Sequence, residues 1–301
     1  MKLKDLVLLV RREIVMEHPS FSNIGITPLS NALGAEIDGV DLSQPLEKAQ
    51  FEDIQKALCT YGAIGFRNQK LSHQNQIDFA LLFGTLEVHP IVKGMEEYPE
   101  IIRMHKPAGT PASFGVGWHS DNSFFDKPSL GSIVYAETVP PFGGDTLFAN
   151  QQLAYEMLSD GIKETLEGLI AIHSAKEAYT SPSALEKYDS DGPISYTKSD
   201  IIEDFIEHPV VIRHPVTGKK ALYVNAMFTH HFKDWTVEES KPLLEFLFAH
   251  ATREEFQCRF KWEKGSLLMW DNRVVQHSAL NDYIDYDRTL YRVTVNGTKL
   301  N

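Results

Sequence analysis

Apolar residues along this chain fall mostly into short alternating runs cut by glycine and proline, with a few longer stretches at helical spacing. From Ile26 to Leu42 apolar and polar positions alternate between glycine breaks, which predicts short strands and turns. Ser43-Gln44-Pro45-Leu46 opens a helix, because Phe51, Ile54, Ala57 and Leu58 then recur on one face as far as Tyr61. Ala63 to Arg67 is a compact strand. Ser72 is placed to cap a second helix, with Ile77, Phe79, Ala80, Leu82 and Phe83 on its apolar face and Gly84 at its end. Residues 85–117, broken by His89-Pro90, Lys106-Pro107 and Gly109, read as an irregular loop of the kind that carries substrate contacts.

In the second half, strands are predicted at Ser132–Ala136 and Asp145–Asn150, either side of a Pro140–Gly144 turn. Helical patterns at Gln152–Leu158 and Ile162–Leu169 lead into a strand at Ile170–His173. Residues 175–205 are polar, and two readings stand side by side, a lid insertion and a solvated surface loop. Strands follow at His208–Ile212 and Ala221–Val224 around a Pro215–Gly218 turn, then a helix at Val237–Ala251. Phe256–Trp262, Leu267–Trp270 and Arg288–Val295 complete the strands. The pattern predicts a mainly β fold with flanking helices (α+β), a β-sandwich or jelly roll. It forms a single domain over 21–301 behind an extension at 1–20, in which Met16 is a candidate start.

Composition narrows the partners. Of 301 residues, 43% are hydrophobic, and 29 Lys and Arg against 41 Asp and Glu leave a formal charge of -12. That balance speaks against a nucleic-acid or anionic-membrane surface. It leaves room for a small anion held by one or two local arginines. Two distant cysteines, Cys59 and Cys258, do not make a disulfide framework or a metal motif. The apolar start Leu6–Val10 is cut off by Arg11-Arg12, and no run approaches the ~20 residues of a membrane span. The expectation is a soluble, cytoplasmic protein with no membrane or nucleic-acid partner.

Three places carry candidate chemistry. In Gly117-Trp118-His119-Ser120-Asp121, read as a strand end, His119 and Asp121 point the same way and make two-thirds of a 2-His-1-carboxylate site. His277 closes a strand that returns from the Asp271-Asn272 turn and is a candidate third ligand. In the run 288–292, Arg288 and Arg292 share a face. An inward arginine is costly unless it meets an anion, and its planar fork suits a carboxylate. On these residues alone each histidine also reads as an ordinary core or surface residue. The arginines read equally as an outward face or as partners of internal acids.

The set Trp118-His119-Ser120-Asp121, Gly143-Gly144-Asp145-Thr146, Trp270-Asp271-Asn272-Arg273, His277 and Arg288, in this order and spacing, resembles the taurine and aryloxyalkanoate dioxygenases. The resemblance runs from about Ile26 to Thr298 and implies a double-stranded β-helix (jelly roll, cupin-like) that uses Fe(II), 2-oxoglutarate and O2. Carried over, His119, Asp121 and His277 would hold iron, and Arg288 with Thr146 would bind the distal carboxylate of 2-oxoglutarate. Arg292 would meet the acids, and His89 would sit at the substrate pocket. Val92 and Gly115 stand where taurine dioxygenase has a tyrosine and an asparagine. With Phe228 they imply a roomier, more apolar pocket for a small organic anion such as an aryloxyalkanoate or sulfonate. The implied reaction hydroxylates a substrate C–H bond, with C–O or C–S cleavage where the carbon bears such an atom, and releases succinate and CO2. The resemblance also suggests a homodimer or homotetramer, for which the chain shows no signature of its own. Two other classes use the same residues: a zinc hydrolase with a His/Asp/His site, and a non-catalytic jelly-roll binding module. The zinc hydrolase gives Arg288 no task.

Overall fold

The computed structural model describes residues 18–111, 114–180 and 199–301. In chain order the strands begin with β1 (Gly25–Pro28), β2 (Ala35–Asp38), β3 (Ala63–Phe66), β4 (Ile101–Lys106), β5 (Gly131–Thr138), β6 (Thr146–Asn150), β7 (Ile170–His173) and β8 (Ile206–Pro209). They continue with β9 (Val211–Arg213), β10 (Lys220–Leu222), β11 (Thr229–Phe232), β12 (Gln257–Phe260), β13 (Leu267–Asp271), β14 (Val275–Ala279) and β15 (Arg288–Val295). The helices are α1 (Lys48–Tyr61), α2 (His73–Leu81), α3 (Gln151–Glu156), α4 (Asp160–Leu166), α5 (Lys176–Thr180) and α6 (Val237–Ala251).

A seven-stranded sheet, ordered β1-β2-β3-β13-β5-β15-β4, faces a three-stranded sheet β12-β6-β14; β11-β7-β8 and the hairpin β9-β10 lie alongside. Strand alternation sorts the large sheet's side chains into two layers. Leu267, Met269, Ile133, Val293 and Val295 point outward and bury Ile54, Ala57 and Leu58 of α1 and Ile77, Phe79 and Ala80 of α2. Leu268, Trp270, Val134, Ala136 and Leu290 point the other way and meet Phe148, Phe260 and Val275 of the smaller sheet. The inward face of β15 therefore carries Arg288, Leu290 and Arg292, and all three are buried. The double-stranded β-helix expected from the motifs is the fold observed, flanked by helices.

Local signals explain the helix ends. Ser72 caps α2 through a capping box with Asn75, and Thr236 caps α6 through one with Glu239. Gly62 closes α1 with φ 70°, its N–H returning to the Leu58 carbonyl at 2.8 Å.

Four expectations need correction. The stretch read as irregular over 85–117 contains β4, an edge strand fully paired with β15, from Arg288 opposite Lys106 to Val293 opposite Ile101. The Lys106-Pro107 pair that suggested a break marks its end. The predicted strand at 208–212 is divided at Val210, with β8 pairing β7 and β9 pairing β10. Strand β11, with its paired histidines, was not expected; it extends the β7 edge. Finally, His119 and Asp121 do not lie in a regular strand. His119 makes a single antiparallel bridge to His277, and residues 121–124 form a turn. The region weighed as a lid splits into α5, a 3-10 turn at Asp200–Glu203 and residues 181–198, which lie outside the described set, as does most of the predicted 1–20 extension. Among the described residues no helix is long and apolar enough to cross a membrane.

Candidate metal centre and anion pocket

His119, Asp121 and His277 converge inside the barrel, with one ligand atom from each within 4.8 Å of the others. His119 Nε2 lies 3.6 Å from Asp121 Oδ1, and His277 Nε2 lies 3.8 Å from Asp121 Oδ2. The backbone does much of the placing. The N–H of His119 donates to the His277 carbonyl at 3.1 Å, and that of His277 to the His119 carbonyl at 2.8 Å. His277 is in turn opposite Phe148 on β6, so its ring is held between Phe148 and Trp270, with centroids 6.0 and 4.6 Å away.

Asp121 reaches the same point from the turn through a polar scaffold. Its N–H donates to Asn272 Oδ1 at 3.3 Å, and Asn272 Oδ1 also accepts from Trp270 Nε1 at 2.8 Å. Ser132 Oγ donates to Asp121 Oδ2 at 2.6 Å and is itself contacted by Asn272 Nδ2. The Trp270-Asp271-Asn272-Arg273 motif thus builds the hairpin that carries His277. Asp271 accepts from Arg273 and His214 and stays outside the ligand set.

The protonation pattern suits a cation. Gly117 O can only accept, so His119 Nδ1, 2.8 Å away, carries the proton and leaves the Nε2 lone pair toward Asp121. Burial lowers His277 to about 3, with His119 adding to the effect, so its imidazole is neutral. Burial raises Asp121, but its neighbours, the Arg292 guanidinium foremost, outweigh that and hold the carboxyl well below its usual range. Two buried imidazoles, each with Nε2 turned toward the same carboxylate, fit a divalent 2-His-1-carboxylate metal site.

A small cavity runs from His119 and His277 to Arg288. Met104, Phe114, Val134, Ala279 and Leu290 give it apolar walls. Arg288 is buried at 7% exposure, and its Nε has no hydrogen-bond partner among the described residues. Thr146 stands on the same cavity, its hydroxyl accepting from Trp262 Nε1 at 2.9 Å. A buried guanidinium with a free donor, on an open cavity beside a metal triad, fits the distal carboxylate of a dicarboxylate co-substrate. The turn that delivers Thr146 needs its glycines: Gly143 and Gly144 have φ of 78° and 69°, and a Cβ on Gly143 would come within 2.9 Å of the Asp282 carbonyl.

The remaining candidate residues are arranged as follows. Arg292 Nη1 donates to Asp121 Oδ1 at 3.1 Å, its Nε has no hydrogen-bond partner among the described residues, and its Cζ sits 5.4 Å from the Phe114 ring. Gly115 lines the cavity at φ 74°; a Cβ there would touch His119 Cε1 at 3.8 Å and Ala279 Cβ at 3.9 Å. Phe228 packs edge-on to His119 at 6.1 Å. Val92 lies behind the wall, against Met104 and Phe114. Both nitrogens of His89 are engaged within the protein: Nδ1 accepts from the N–H groups of Ile91 and Val92, and Nε2 lies 3.1 Å from Asn122 Oδ1. Asn122 passes the chain on to Glu87 and Ser129. Ser132 and Trp262 are site residues that sequence reasoning missed, and Asn272, present in the quoted motif, was given no role there. The inward parity of β5 was available for Ser132, but nothing local marked Trp262.

With this geometry in place, comparison with known proteins is decisive. The profile for "Taurine catabolism dioxygenase TauD, TfdA family" matches residues 25–294. The chain belongs to that family. It is 34% identical over 286 residues to an alpha-ketoglutarate-dependent sulfate ester dioxygenase of Pseudomonas putida, covering 93% of this chain and 91% of that protein. It is 32% identical over 283 residues to the alpha-ketoglutarate-dependent 2,4-dichlorophenoxyacetate dioxygenase of Cupriavidus pinatubonensis, covering 89% and 96%. The crystal structure of a taurine dioxygenase from Burkholderia xenovorans superposes with a TM-score of 0.75 at 36% identity, covering 92% of each chain. This TauD, TfdA family member is an alpha-ketoglutarate-dependent dioxygenase.

Proposed function

We propose that this dioxygenase uses Fe(II) and O2 with 2-oxoglutarate to oxidise a small organic anion with an apolar body, such as a sulfate ester or an aryloxyalkanoate. The observation that carries the substrate class is Arg292, a buried guanidinium beside the metal carboxylate in a cavity whose other walls are largely apolar.

His119, Asp121 and His277 would hold the iron. Bound there, Fe(II) supplies the oxidative chemistry: 2-oxoglutarate and O2 become succinate and CO2 as one oxygen atom enters a substrate C–H bond. Arg288 and Thr146 orient the co-substrate through its distal carboxylate. Ser132 and Asn272 hold the Asp121 carboxylate in place, and Gly117 holds the His119 tautomer. Arg292 has donors left over after its bond to Asp121, and these are directed at the substrate's anionic group. Gly115 leaves the space beside His119 open for the apolar body. If the hydroxylated carbon carries a sulfate-ester or aryl-ether oxygen, the product loses sulfate or a phenol and leaves a carbonyl.

The aminosulfonate taurine fits less well, since Gly115 on the cavity wall offers no side-chain hydrogen bond to its polar end. A succinate-release assay across alkyl sulfates, phenoxyalkanoates, alkylsulfonates and taurine tests this reading. Turnover is expected with alkyl sulfates or phenoxyalkanoates, with taurine trailing by about tenfold or more in kcat/KM. Preference for taurine would overturn it.

A further inference from the structure

A second cation stands beside the Arg288 end of the cavity, on the neighbouring strand. Lys106 ends β4 directly opposite Arg288 on β15. It is 3% exposed, and its ammonium has no hydrogen-bond partner among the described residues. Both cations face one aromatic ring: Lys106 Nζ lies 4.4 Å and Arg288 Cζ 5.6 Å from the centroid of Tyr283. Cross-strand like charges repel, and a buried ammonium without acceptors is costly. The ring face offsets part of that cost. Of the nearby carboxylates, Asp285 and Asp287 favour the ammonium's charge without bonding to it, Asp287 accepting instead from the N–H of Ala108 at 2.8 Å, and Asp145 is bound to Arg259. Two positive charges are therefore concentrated beside one end of the cavity, where an anionic group on a ligand would meet both. Consistent with this, burial and then Arg288 lower the Lys106 pKa.

We infer that Lys106 is a positioning residue of the 2-oxoglutarate subsite, adding through Arg288 and Tyr283 the charge that selects a co-substrate with a distal carboxylate. This inference rests on the co-substrate role given to Arg288 above. It predicts a charge-specific effect: Lys106 contributes to binding only when the 2-oxo acid carries a second carboxylate.

The test is calorimetric binding to Mn(II)-loaded protein without turnover, comparing 2-oxoglutarate with 2-oxopentanoate, which has a methyl group in place of the distal carboxylate. Lys106→Met is expected to weaken 2-oxoglutarate about tenfold, to leave 2-oxopentanoate and Mn(II) unchanged, and to melt at or above wild type when ligand-free, since it removes an unpaired buried charge. Lys106→Arg should restore most of the loss. Equal weakening of both acids, or no weakening of either, would overturn the inference. Arg288→Ala separates the two levels. If it binds 2-oxoglutarate as wild type does, the co-substrate assignment itself fails. If it weakens binding while Lys106→Met does not, only the role of Lys106 fails. Should Lys106→Met prove unfolded, Lys106→Gln serves for the same pair of titrations.

Discussion

His119 and His277 are 158 residues apart in sequence, yet each donates its backbone N–H to the other's carbonyl, and their ring centroids lie 4.2 Å apart. A hydrogen-bonded antiparallel pair fixes the Cα separation at about 5.5 Å. Two of the three candidate metal ligands are thus spaced by the sheet before any cation arrives. The third, Asp121, depends on side chains instead, and that difference shapes how each should respond to mutation.

Ser132→Ala and Asn272→Ala remove the groups that hold the Asp121 carboxylate and the turn around it. Partners of this kind tune metal affinity by about 10–100-fold. Each variant should therefore bind Fe(II) or Mn(II) more weakly by a factor in that range while keeping the wild-type fold by circular dichroism. Unchanged affinity in anaerobic metal titration would mean the carboxylate is held by the backbone alone.

Gly115→Ala puts a methyl group into the cavity at ordinary contact distance from His119 and Ala279, in a left-handed backbone conformation. The strain costs about 1–2 kcal/mol of stability. The lost space should raise KM for a bulky prime substrate more than for a short one, with 2-oxoglutarate affinity little changed. Equal effects on short and bulky substrates, measured by succinate release, would place the substrate body elsewhere.

How much of this was legible beforehand depended on whether the signal was local. Ser72 and the α6 span follow from capping and periodicity, and α6 begins and ends where the pattern placed it. The inward parity of Arg288 and Arg292 follows from strand alternation once β15 is recognised. By contrast, β4 was hidden because its own residues, Ile101-Ile-Arg-Met-His-Lys106, alternate poorly. Its strand character comes from pairing with β15, a partner 182 residues away at Arg288 opposite Lys106. Missing that strand meant missing Lys106. His119 and Asp121 do converge, but not by the route expected: a bridge and a turn bring them together, where alternation along a strand had been assumed.

The buried histidines set a pH window for the metal-free protein. Burial lowers His89 and His208 from 6.5 to about 4 each. Between pH 6.5 and about 4 the unfolded chain takes up protons that these folded imidazoles refuse, so stability falls as pH falls across that range. Glu87 works in the opposite sense: burial raises it from 4.5 to about 7, so the contribution it makes below pH 4.5 is lost as pH rises toward 7. Thermal melts should show a net fall in Tm on acidification from pH 6.5 to 4. In Glu87→Gln, the gain in Tm over wild type should grow as pH rises from 4.5 to 7. A gain independent of pH would contradict this account of Glu87.

Phe148 is fully buried, faces Trp270 and His277, and sits opposite His277 in register. Phe148→Ala should cost about 3–5 kcal/mol of stability, as for other buried aromatic truncations. In chemical denaturation the midpoint should drop accordingly, and metal affinity should fall with it because one side of the His277 ring loses support. A loss below ~1 kcal/mol would show that the site collapses onto smaller side chains.

The central claim is that His119, Asp121 and His277 hold one ferrous ion beside a co-substrate anchored by Arg288. Anaerobic Fe(II) titration of wild type and His277→Ala, with and without 2-oxoglutarate, tests it most directly. The account predicts one equivalent of iron in wild type, bound tightly, and loss of that binding in His277→Ala with the fold retained. Stoichiometric Fe(II) binding by His277→Ala with wild-type affinity would contradict it.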